Sequence, residues 1–401
     1  MILRLISTSL LLTSFCLAQN KNQLIGDCAD ATEIAPKGVI RFDSSPIGFG
    51  KKLEIKGNPI NSPYFFQREE NTAWFWFDAL SDDMLTFKIY PKDTAADFDF
   101  LLFRYTDENF CEDILDKRLR PIRSNISRYN VDVLSMTGLS AGSDEEFVPA
   151  GPGNHLSKAI TTQKGERYYL VINNVYSTET SFSISFDYYT TTDISGEVKD
   201  EETDLQIGDA VVTWEEKTGE VLAETRTDPE TGKYSFKVPI KKGNHPWEYI
   251  LSVSEPLHFF SEQKVTATSS KPPQPLVSVL PQLKKGKRMV LKNINFYGDK
   301  AVPLPSSKPS FKRLLRLMKA NDSLIIGIEG HTNGCNKGFE FSQQLSTNRA
   351  KMVRSFLTKS GIDSSRVSAV GLNCSQMLYP NAKSEKEQSL NRRVEFVVND
   401  F

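Results

Sequence analysis

Between residues 24 and 268 the chain is cut into short runs of aromatic and β-branched residues, each closed by Asp, Asn, Gly or Pro. Runs of this kind fold as strands, and a long succession of them buries its apolar faces by stacking sheets. In a first unit, 24–191, the expected strands are Trp74 to Phe77, Met84 to Tyr90, Phe98 to Tyr105, Tyr168 to Val175 and Phe182 to Tyr188. The run from Asp97 to Phe103 alternates at first and then turns continuously apolar, which predicts a central strand. Gly142 to Gly153 reads as a long loop. A second all-β unit, 194–268, opens at Ile194, Gly196 and Val198 and includes a hairpin with Tyr234, Phe236 and Val238 on one face. Ser269 to Pro275 is proline-rich, so 269–286 is expected to be a stiff linker.

From Lys287 the period changes. Phe311, Leu314, Leu315 and Met318 fall on one helical face behind Pro309, and Phe339 to Lys359 reads as a helix stopped by Gly361. Strands are expected at Met289 to Phe296, Leu324 to Glu329, Arg366 to Val370 and Val394 to Val398, so 287–401 is a small α/β sandwich. The fold class is therefore multidomain: two all-β sandwiches followed by an α/β domain. Charge divides at the same place. Residues 287–401 hold 19 Lys and Arg against 9 Asp and Glu, whereas the preceding part has 30 against 41. A basic end favours an anionic polymer or surface as partner.

The first residues read as an export signal, 1–18. Arg4 precedes an apolar stretch, Leu5 to Leu17, and Ala18 offers a cleavage position before Gln19. Phe15 stands where lipidation of Cys16 would need a small residue, so Cys16 is assigned to the signal. No apolar run reaches the roughly 18 residues of a membrane-spanning helix. Removal of the signal leaves Cys28, Cys111, Cys335 and Cys374, an even set that suggests disulfides in an exported protein. Three pairings exist, and the one that keeps each bridge within a region is Cys28–Cys111 with Cys335–Cys374. No spacing matches a zinc site, and with four His in the chain no metal centre is expected. No catalytic constellation, cofactor or nucleic-acid partner is expected either.

Arg349 is the anomaly of the long helix. It falls inside the apolar stripe of Leu345, Met352, Val353 and Phe356, where a desolvated guanidinium needs a carboxylate or several acceptors. An internal ion pair, a side chain reaching out to water and a ligand carboxylate would each serve. His331, within Gly330-His331-Thr332-Asn333-Gly334, lacks a nearby nucleophile and reads as a structural, hydrogen-bonding residue.

Five motifs in order then carry a resemblance. They are Lys292-Asn293-Ile294-Asn295-Phe296, Gly330-His331-Thr332-Asn333, Leu345-Ser346-Thr347-Asn348-Arg349-Ala350, Gly361-Ile362 with Arg366-Val367, and Asn391-Arg392-Arg393-Val394-Glu395-Phe396. Together they resemble the OmpA-like C-terminal peptidoglycan-binding family across about 287–401. The resemblance implies a βαβαβ-type fold that grips the peptidoglycan stem peptide without covalent chemistry. It implies Thr332, Asn333, Arg349 and Arg392 as binding residues, with Arg349 on the diaminopimelate end of the peptide. Asn333 stands where the family has Asp, Ser342 where it has Asn, and the loop between is one residue longer. It also implies that Cys335 and Cys374 lie in two loops rimming one groove, so that a bridge would brace it. More loosely, 194–268 resembles carboxypeptidase regulatory-like domains, seven-stranded prealbumin-type sandwiches. Residues 24–191 are similar to pre-peptidase-type jelly-roll modules.

The expected function is a non-enzymatic periplasmic tether, associated with the outer membrane and cell wall. It would hold peptidoglycan at one end and an outer-membrane protein or a secretion or motility complex at the other. A surface glycan-binding adhesin and an accessory subunit of a cell-wall hydrolase are the alternatives.

Overall fold

A computed structural model describes residue 24 and residues 26–400, apart from 57–61, 94, 129–135, 153, 272, 292 and 336–337. The export signal, Cys16 and Lys292 fall outside the described residues.

The first unit packs two sheets face to face. One has the order Thr32–Glu33, Thr72–Asp78, Arg167–Asn174, Phe98–Arg104, Arg123–Arg128, Phe147–Pro152. The other is built on a long strand, Phe182–Asp200, with Met84–Pro91 and Gly38–Phe42 paired to it. Phe75, Phe77, Phe100 and Leu102 meet Phe87, Ile184 and Phe186 between them. Phe98–Arg104 is central, and its alternation vanishes because both faces are covered. Leu101 and Phe103 join a second cluster with Trp74, Phe110 and Ile114, where the short helix Phe110–Leu115 lies over the sheet. The Cys28–Cys111 disulfide fastens that helix. The expected loop from Gly142 to Gly153 instead contains Phe147–Pro152, paired in parallel with Arg123–Arg128. Its Pro, Ala and Gly conceal a strand that has only Phe147 and Val148 as strong β-formers.

The boundary expected between 191 and 194 lies inside the long strand. Phe182–Tyr189 pairs with Met84–Pro91, while Tyr189–Glu197 pairs with Lys233–Lys241. Three consecutive threonines, Thr190 to Thr192, keep the backbone extended across that boundary. Within the expected linker 269–286, Leu276–Leu280 is a strand in parallel register with Gly196–Asp200, with Ser278 and Leu280 buried. These strands face a second sheet of order Val221–Arg226, Val211–Glu216, Trp247–Ser254, Ser261–Ala267. Trp214, Tyr234, Val238, Tyr249 and Leu280 form the core between them. Seven strands surround this core only when the shared long strand and Leu276–Leu280 are included.

The C-terminal sheet has the order Arg288–Val290, Val394–Asp400, Ile325–Gly330, Val367–Gly371, with the last pair parallel. Helices Lys308–Ala320 and Phe339–Lys359 cover one face through Leu314, Leu317, Met318, Val353 and Leu357. The strand expected over Met289 to Phe296 ends at Val290. Beyond it, the Ser307 hydroxyl takes both the N–H and the carbonyl of Asn295, at 2.8 Å each, in place of a ladder. A third helix, Glu385–Asn391, was not expected from periodicity. It is polar and starts at a capping box of Ser384 and Glu387.

The expected boundary at 287 is bridged by packing. Phe259 and Phe260, from before the linker, are buried in the C-terminal core. Arg313 on the first long helix, 4% exposed, donates to Glu215 at 2.5 Å and to Glu262 at 2.9 Å, and Arg316 donates to Glu215 at 2.9 Å.

Candidate functional site: two strand-end loops beside a buried arginine

Ile325–Gly330 and Val367–Gly371 run parallel with Gly330 opposite Gly371, so the loops that follow them leave the same end of the sheet. Both glycines are required by contact. A Cβ on Gly330 would lie 2.2 Å from the Ser346 carbonyl oxygen, and one on Gly371 would lie 2.3 Å from the Thr347 nitrogen. The long helix Phe339–Lys359 therefore seats directly on the two strand ends.

Its first turns stitch the loops together. The Asn373 N–H donates to the Ser346 hydroxyl at 3.1 Å, and the Thr332 N–H donates to the Asn373 carbonyl at 2.9 Å. Gln343 donates to the Gly371 carbonyl at 2.7 Å and accepts from the Asn373 amide at 2.6 Å. Ser342 donates to the Gly334 carbonyl at 3.1 Å. The Cys335–Cys374 disulfide joins the same two loops, closing a separation of 39 residues. Both disulfides follow the regional pairing read from the sequence.

Thr332 is buried, and its hydroxyl turns back to the Gly334 carbonyl at 3.3 Å. The Asn333 side-chain oxygen accepts from the Asn391 amide at 2.9 Å. Asn391, fully buried, also donates to the Tyr379 carbonyl at 2.8 Å and accepts the Tyr379 N–H at 2.9 Å. Arg392, next to it, is partly exposed and ion-paired with Glu385. Arg349 is 4% exposed. It donates to the Lys300 carbonyl at 3.1 Å and the Tyr297 carbonyl at 3.5 Å, and lies over the Phe296 ring. Its hydrogen bonds thus go to neutral main-chain oxygens. Burial and then the nearby charge of Arg392 hold the Arg349 guanidinium below its ordinary pKa, against a smaller opposing pull from Asp299. Arg349 and Arg392 are thus near enough to repel each other, with Asp299 opposing that effect on Arg349 and Glu385 paired to Arg392.

Sequence reading missed Gln343, Asn373 and Asn391 as the residues that fix the loops. The visible signals were Asn391 inside its motif and Asn373 between Gly371 and Cys374; nothing marked Gln343. His331 departs from expectation. It is 1% exposed, its N–H donates to the Arg393 carbonyl, but neither ring nitrogen has a hydrogen-bond partner among the described residues. Burial and then Arg393 push its imidazole down to about 4, so it is neutral.

Comparison with known proteins places this region. Residues 295–392 match the model of the OmpA family. Outer membrane porin F of Pseudomonas fluorescens is 34% identical over 106 residues, which is 26% of this chain and 32% of that protein. The chain therefore spans about a third of the length of that relative. The OmpA-like domain of FopA1 from Francisella tularensis is 25% identical, with 26% of this chain covering 68% of that one at a TM-score of 0.23. The peptidoglycan-associated lipoprotein of Burkholderia pseudomallei is 23% identical, with 26% of this chain covering 86% of that one at a TM-score of 0.24. On the family match and the motifs that carry these loops, residues 295–392 are an OmpA-family domain.

Proposed function

We propose that the chain is a non-enzymatic tether of the bacterial envelope, working in the periplasm. Its C-terminal domain holds the peptidoglycan stem peptide, and its β units meet an outer-membrane protein or a secretion or motility complex. The observation that carries this reading is the state of Arg349. A desolvated guanidinium whose hydrogen bonds among the described residues go to two neutral carbonyls has no carboxylate in its fork. A carboxylate supplied by a ligand completes it, through the paired hydrogen bonds that a guanidinium fork offers. Thr332, Asn333 and Arg392 are the proposed companions of Arg349 in this contact. The family match and the likeness to an outer-membrane porin support an envelope location.

The test is pelleting of the full-length mature chain with purified sacculi at low salt. The wild type is expected in the pellet and Arg349→Ala in the supernatant. A folded wild type that stays wholly in the supernatant refutes the reading.

A further inference from the structure

The sheet face turned away from the helices carries a buried polar cluster. Glu329 and Glu395 are direct cross-strand partners on antiparallel strands, so both project from this face. His331 lies two residues beyond Glu329 and projects the same way. All three are buried, at 8%, 6% and 1% exposure, and one ligand atom from each lies within 4.8 Å of the others. Such burial is costly for an imidazole whose two nitrogens have no hydrogen-bond partner among the described residues.

From this placement we propose that Glu329, His331 and Glu395 form a site for a zinc-type divalent cation. Imidazole nitrogen with two carboxylate oxygens is a ligand set that such ions accept, with water in the fourth position. At bond lengths of about 2.0–2.2 Å, tetrahedral ligand atoms stand roughly 3.4 Å apart, so small side-chain rotations close the present separation. Two arginines now share the carboxylates. Arg288 donates to both oxygens of Glu329, at 3.2 and 3.3 Å, and its side chain is 50% exposed. Arg393 is buried, donates to one oxygen of Glu395 and to the Gln376 carbonyl, and leaves one terminal nitrogen unpaired. The cation takes the place of Arg288, which is free to turn to solvent. Arg393 stays as the outer partner that orients Glu395. The motif spacing gave no sign of this site because its ligands come from two strands brought together only by sheet pairing.

The probe is zinc chloride, titrated calorimetrically into the metal-stripped full-length chain, with His258→Gln as a control, because His258 sits between the carboxylates of Glu255 and Asp200. One equivalent is expected, weakened more than about tenfold by His331→Gln and strengthened by Arg288→Ala, which removes the competing cation. His258→Gln should leave it unchanged. X-ray absorption of the zinc-loaded wild type should show a single imidazole nitrogen among oxygen ligands, and this stands even if His331→Gln fails to fold. No binding to folded protein at millimolar zinc, equal affinity in a folded His331→Gln, no gain in Arg288→Ala, loss of the site in His258→Gln, or a shell without imidazole would each overturn the proposal.

Discussion

Glu215 is the most informative single position for the junction between the β units and the C-terminal domain. It is 1% exposed and accepts from both Arg313 and Arg316, two residues on a helix of the other domain. Changing it to Ala strands Arg313 in a site with little access to water. Removing one partner of a buried pair costs about 3–5 kcal/mol. Glu262 still holds one arm of Arg313 at 2.9 Å, and the Arg316 side chain, 38% exposed, can turn to water. The loss should therefore sit near the lower end, about 3 kcal/mol. The double variant Glu215→Ala with Arg313→Met should recover more than half of it, since an apolar side chain of similar reach replaces the stranded charge. Urea denaturation followed by tryptophan fluorescence suits the test, because Trp214 is fully buried next to Glu215. A loss below about 1 kcal/mol, the scale of a surface pair, would show that water reaches the network and would refute the argument.

Other expectations concern the candidate site and the pH response. Arg349→Ala should weaken stem-peptide binding by about 2–5 kcal/mol with circular dichroism unchanged, and Arg349→Lys should restore little, because an ammonium cannot form the planar fork. Asn333→Asp keeps an acceptor for the Asn391 amide and adds a charge, so calorimetry should show about 1–2 kcal/mol tighter binding to a diaminopimelate stem peptide. Replacing Cys335 and Cys374 together by Ser releases a 39-residue loop and should lower stability by about 3–4 kcal/mol in urea melts. Glu255 and then Asp200 raise the His258 imidazole from its ordinary 6.5 to about 9. Its stabilising contribution is complete below about 6.5 and fades as pH rises through 9, so His258→Gln should flatten the thermal-midpoint profile over that window.

What could be read from the sequence was what local pattern encodes. The long helix, the central strand at Phe98 and the strand at Leu324 to Glu329 are each announced by periodicity or by a run of β-formers. Phe182–Asp200 crosses the expected boundary because ladder pairing, which no local pattern records, continues through Thr191 and Asp193. Leu276–Leu280 was missed because its neighbours are prolines, and only a parallel partner some 80 residues earlier gives it a ladder. At the candidate site, Arg349 stood out as a charge inside an apolar stripe, which is a local contradiction. Its acceptors, the carbonyls of Tyr297 and Lys300, are main-chain groups with no side-chain signature. The same holds for the unpaired His331, whose surroundings arise from strands far apart in the chain.

The strand Phe182–Asp200 also has a mechanical consequence. Nineteen residues at about 3.3 Å each run roughly 60 Å without a break, entering one sandwich and leaving in the next. A pull applied to the first unit reaches the second through extended backbone flanked by ladders, with no slack segment to take up the displacement. The two β units therefore behave as one stiff beam that fixes the distance between its ends, and bending is left to whatever lies outside it.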